Sequence, residues 1–159
     1  MLASLENSPF SAWVRESLWG WPVALTIHVL GTALVIGFVL IIALRMLGLF
    51  ETIPYASLSR LFPVIWVAFA IECLSGVVLW LTKPTRYVAD TAFALKITFV
   101  IIGFGLLVSF YRLLKHQAAA WDAGGAPGVI RFVIPTVLVW CGVLVAARLT
   151  AHLGALPVG

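Results

Sequence analysis

The sequence predicts an all-α integral membrane protein, an up-down antiparallel four-helix bundle preceded by a short interfacial helix. Three observations predict it. First, 63% of the 159 residues are hydrophobic and only 10% are charged, whereas a soluble domain charges roughly a quarter of its residues. Second, four apolar segments, approximately 19–44, 61–81, 92–114 and 129–153, each reach the ~20 residues that a helix needs to cross the hydrocarbon core. Third, the period-two alternation of a membrane barrel is absent, and backbone in lipid must satisfy its own hydrogen bonds, which leaves helices. The length allows one domain, 1–159.

Taken in order, the first twenty residues lack the basic start and small-residue cleavage pattern of a signal peptide. Ser8-Pro9 reads as a helix start, with Ser8 as N-cap and Pro9 in the first turn. Phe10, Trp13, Ser17 and Trp21 then fall at helical spacing, with Arg15 and Glu16 off that stripe. Tryptophan favours the headgroup region, so this segment is expected to lie in the interface. Pro54, Lys83-Pro84-Thr85 and Ala123 to Gly128 mark the three turns between spans. Such short connections make neighbouring spans antiparallel.

Arg45, Arg60, Arg112, Lys115 and Arg131 follow spans one and three, against Arg15, Lys83 and Arg86 on the other side. The positive-inside rule then puts both termini outside the cytoplasm. The net charge of +4 is accounted for by anionic lipid, and no nucleic-acid partner is needed.

Ionisable residues inside a span are costly and mark function by default. Here they are His28, Glu72, Lys96, Arg148 and His152. Span one starts, span three starts and span four ends on the same face, so His28, Lys96, Arg148 and His152 are expected to converge on one layer. Arg148 and His152, four apart, share a helix face. Two imidazoles and two cations in one layer suit an anionic ligand with an axial coordination need. Haem b meets that description: His28 and His152 as iron ligands, Lys96 and Arg148 on the propionates. Gly31, one turn from His28, is the small residue expected to make room for the macrocycle, although close helix packing explains it equally well. Glu72, near the midplane of span two, is a candidate proton relay or quinone contact, against a structural hydrogen bond.

Cys73 and Cys141 form no CxxC or CxxCH motif, so c-type haem attachment is excluded and both read as packing residues. Two methionines, in no run, argue against copper handling. No Gly-rich phosphate loop, Ser-His-Asp set or HExxH supports hydrolysis.

The stretch His28-Val29-Leu30-Gly31 through Arg45-Met46-Leu47-Gly48-Leu49, with Tyr87 and then Phe93-Ala94-Leu95-Lys96, resembles a group of small bacterial four-helix membrane proteins. More distantly it resembles the HemJ-type protoporphyrinogen oxidases and the membrane domain of copper-resistance D proteins. In the HemJ-type family a first-span His is followed by an Arg at the far end of that span and a Lys early in the third. His28, Arg45 and Lys96 match those places. The resemblance covers roughly residues 20 to 115 and implies a bacterial inner-membrane location and a haem-like ligand near His28 and Lys96. The aromatic-proline stretch of that family is missing from Val35 to Leu44.

The expectation is therefore a b-type haem-binding protein acting as an electron-transfer or oxidoreductase component. Two other readings stand beside it: an accessory subunit packed on a larger membrane complex or a second copy of itself, and a small proton or ion transporter using Glu72 and Lys96.

Overall fold

The computed structural model describes residues 1–126 and 128–153. Pro127 of the third turn and residues 154–159 of the expected domain 1–159 lie outside the described residues. Two short helices, α1 (Leu2–Glu6) and α2 (Pro9–Glu16), open the chain. As expected, Ser8 caps α2, its Oγ accepting from the Ser11 N–H at 3.2 Å. The helix then stops at Ser17, whose backbone is extended. Ser17 Oγ instead accepts from the N–H groups of Trp19 and Gly20, at 3.3 and 3.2 Å, and so starts the next helix. The expected stripe from Phe10 to Trp21 is thus broken, because Trp21 belongs to that next helix. Phe10 and Trp13 point outward from α2, while Ser11 and Val14 face the bundle.

The first span, α3, is Gly20–Met46. It ends where Gly48 takes φ +93°, a left-handed conformation that glycine adopts without Cβ strain, and the Leu49 N–H closes on the Leu44 carbonyl at 3.0 Å. A short helix α4 (Tyr55–Leu58) and a 3₁₀ turn (Ser59–Leu61) lead into the second span, α5 (Phe62–Thr82). Helix α2 lies across the far end of α5. Ser11 Oγ donates to the Leu81 carbonyl at 2.7 Å and Arg15 Nη1 to the Thr82 carbonyl at 2.8 Å. Both carbonyls belong to the last turn of a helix, which has no partners of its own.

After α6 (Pro84–Ala89), the third span, α7, runs from Thr91 to Gly124. The sequence stops that span at Leu114, so the helix continues ten residues further, about 15 Å. The reason is tertiary. Ala118 and Trp121 are buried on this extension, and Asp122 accepts from the Tyr55 and Ala56 N–H groups at 2.7 and 3.2 Å. Hydropathy falls past Leu114, but packing on α4 carries the helix onward. The fourth span, α8, is Ile130–Leu153.

Helix α3 packs chiefly on α5 and α7 on α8, with α3 also meeting α8. Val35, Val39, Phe62, Ile65, Leu107, Leu114 and Val143 fill the centre. Phe62 against Tyr111 and Phe69 against Phe104, with ring centroids 5.0 and 5.2 Å apart, join α5 to α7. Val67, Leu74, Ile101 and Leu138 are each at least 60% exposed. An outer surface that apolar has lipid as its solvent. The chain is a multi-pass membrane bundle.

Candidate functional site

Three ionisable residues meet between α3, α5 and α7. His28 lies eight residues into α3, about 12 Å down its axis, and Lys96 five residues into α7, about 8 Å down. Lys96 Nζ approaches His28 Nε2 to 3.2 Å. The other ring nitrogen, Nδ1, faces the Glu72 carbonyl at 3.0 Å and Ser75 Oγ at 3.2 Å. A carbonyl only accepts, so Nδ1 carries the hydrogen and Nε2 offers its lone pair to the Lys96 ammonium. The tautomer is fixed by the neighbours on both sides.

Glu72 is 4% exposed. Its Oε1 shares a hydrogen bond of 3.0 Å with Thr32 Oγ1, which also lies 3.0 Å from the His28 carbonyl. Its Oε2 has no hydrogen-bond partner among the described residues. The Thr32 bond is the structural hydrogen bond to a neighbouring helix that the sequence offered as the alternative for Glu72, and a carboxyl oxygen left alone beside it in an apolar interior is expensive.

The approach of α3 to α5 makes the cluster possible. A Cβ at Gly31 would sit 3.1 Å from the Glu72 nitrogen, and one at Gly76 would sit 3.2 Å from His28 Cε1. The small residues thus let backbone and imidazole close together, and protein already fills the space expected for a macrocycle. Two concavities of the surface, one beside α2 and one at the turn after α3, are not lined by His28, Lys96 or Glu72. In this packing Lys96 covers Nε2, and the gaps beside Gly31 and Gly76 are occupied by Glu72 and His28.

Of the four residues expected in one layer, the structure brings together His28 and Lys96. Arg148 and His152 are exposed on α8 and do not join the pair. The two lie on the outward side of the helix, since the buried positions of that stretch are Val143, Ala146 and Thr150. Depth along the span was readable, but the direction around the helix was not. Among the described residues no group of three or more His, Cys, Asp or Glu is placed to hold a metal ion. Glu72, read as a lone acid deeper in, is instead part of the cluster. Thr32 and Ser75 went unremarked in the sequence, although Thr32 is four residues from His28 and Ser75 three from Glu72, the spacings that share a helix face. Cys73 and Cys141 are free thiols on the outer surface.

No family model, curated protein or solved structure matches the chain.

Proposed function

We propose that the protein is a membrane-embedded proton-handling component, in which Lys96 and His28 hold one proton between them inside the bundle. The observation that carries this reading is the 3.2 Å approach of Lys96 Nζ to His28 Nε2. An ammonium facing an imidazole lone pair can pass its proton across, leaving a neutral amine and an imidazolium. The imidazolium keeps its Nδ1–H on the Glu72 carbonyl and Ser75 Oγ, so one proton is shared across the Lys96–His28 contact, between α7 and α3. Glu72, with one unpartnered oxygen beside Thr32, is a second proton acceptor in the same cluster. Ionisable chains of this kind inside a span are what proton relays use. The Lys/Arg distribution supports a bacterial inner membrane orientation with both termini on the periplasmic side, which puts the pair in the outer leaflet.

Proteoliposomes loaded with a pH-sensitive dye test the reading under a potassium diffusion potential. Wild-type protein is expected to acidify or alkalinise the lumen faster than protein-free vesicles, and His28→Phe and Lys96→Met to return the rate to background. Wild-type flux equal to that of empty vesicles, or variants as fast as wild type, would sink it.

A second reading, a b-type haem protein, is favoured by one observation. A histidine whose Nδ1–H is tied to a backbone carbonyl presents Nε2 as a metal ligand commonly does. It requires Lys96 to swing away from Nε2. The visible spectrum of protein purified after growth with haem supply decides it: a Soret band lost in His28→Ala supports it, and no band removes it.

A further inference from the structure

A second polar site lies at the opposite end of α3, seventeen residues or about 25 Å along the axis from His28. Here a pocket of about 550 Å³ opens where the α7 extension meets the turn after α3, lined among others by Arg45, Glu51, Thr52, Tyr55, Trp121 and Asp122. Arg45 is only 8% exposed. Its guanidinium lies 4.0 Å over the Tyr55 ring and donates to the carbonyls of Ile53 and Glu51. Those bonds use Nε and Nη2, and Nη1 makes no hydrogen bond among the described residues. Asp122 spends one lone pair of each oxygen on the α4 N–H groups and keeps the rest of its acceptor capacity and its charge.

The pocket therefore combines one nearly buried cation with two carboxylates and two aromatic rings, at the level where the first span ends. Spare guanidinium donors match a phosphate. Two acids beside it repel a ligand that is only anionic and attract one that also carries a positive group. Leu47, Leu49 and Phe50 are each at least 45% exposed next to it, an apolar rim suited to acyl chains. We propose that this pocket binds the phosphoethanolamine head group of a phospholipid, with Arg45 on the phosphate and Asp122 and Glu51 facing the ammonium.

Native mass spectrometry of the full chain in detergent tests this with phosphatidylethanolamine, phosphatidylglycerol and diacylglycerol of matched acyl chains. Wild type is expected to retain phosphatidylethanolamine in preference to phosphatidylglycerol, and both over diacylglycerol. Glu51→Gln, on an exposed turn, is expected to lose the preference for the ethanolamine lipid while still holding the glycerol one. Arg45→Gln is expected to lose both. Should that variant fail to fold, Glu51→Gln decides alone. Equal retention of the three lipids by wild type, or an unchanged preference in Glu51→Gln, would overturn the assignment.

Discussion

Lys96 Nζ and His28 Nε2, on two different spans, lie 3.2 Å apart, with the far side of the imidazole tied to the Glu72 carbonyl. The contact has one direction because the tautomer is fixed: Lys96 donates and Nε2 accepts. Replacing Lys96 with Met removes the donor and keeps the length of the side chain. The expected outcome is a folded protein in which the ¹⁵N resonance of His28 Nε2 moves while Nδ1 stays near its wild-type position. If neither nitrogen responds, the two residues do not interact in the membrane.

Glu72 separates function from stability. Its Oε2 is buried and unpartnered, and Thr32 keeps the His28 carbonyl as acceptor, so Glu72→Met deletes a half-satisfied carboxyl at similar volume. Such replacements are often neutral or stabilising. Unfolding in a denaturing detergent titration should show stability equal to wild type or higher, while proton flux falls. A loss of more than about 2 kcal/mol would mean that the carboxyl is a structural bond after all.

Gly31 and Gly105 form a matched pair. A methyl group at Gly31 meets Glu72 backbone at 3.1 to 3.2 Å, whereas one at Gly105 meets nothing within 4 Å. Backbone cannot yield as a side chain can, so Gly31→Ala should destabilise by about 1–3 kcal/mol and separate His28 from Ser75. Gly105→Ala should leave stability unchanged or raise it by up to about 1 kcal/mol. Equal effects of the two in thermal unfolding would contradict the α3–α5 approach.

Trp140 is 1% exposed, and its indole N–H has no partner among the described residues. Its ring lies within 3.2 to 3.4 Å of the place a Gly103 Cβ would take. Trp140→Phe removes the orphan donor and keeps most of the ring, and should change stability by no more than about 1 kcal/mol. Trp140→Ala opens a cavity and should cost about 3–5 kcal/mol. A large loss in the Phe variant would point to a hydrogen bond made by that N–H in the membrane.

Asp122→Ala tests the reason α7 outruns its apolar stretch. Losing both bonds to α4 should cost about 1 kcal/mol and raise hydrogen exchange in residues 55–61 and 115–124, with the spans unaffected. Uniform exchange across the chain would argue for global destabilisation.

The four spans were legible because burial in lipid demands length and apolarity, and both are written along the chain one residue at a time. The candidate site was legible only in part. Depth follows from counting 1.5 Å per residue, which gave His28 and Lys96 a common level. Rotation about each axis depends on which neighbour a helix meets, and four helices apolar on all sides carry little signal for it. That is why Arg148 and His152 point outward, and why Glu72, placed deeper, turns out to abut His28. Gly31 shows the same division, since its smallness was visible but not what would fill the space.

By itself, then, the sequence determined that this chain crosses a membrane four times and which costly polar groups it carries inside. The tertiary structure decided which of them meet: helix contacts set the azimuth of every side chain, and a proton can pass only between groups that those contacts bring within hydrogen-bond reach.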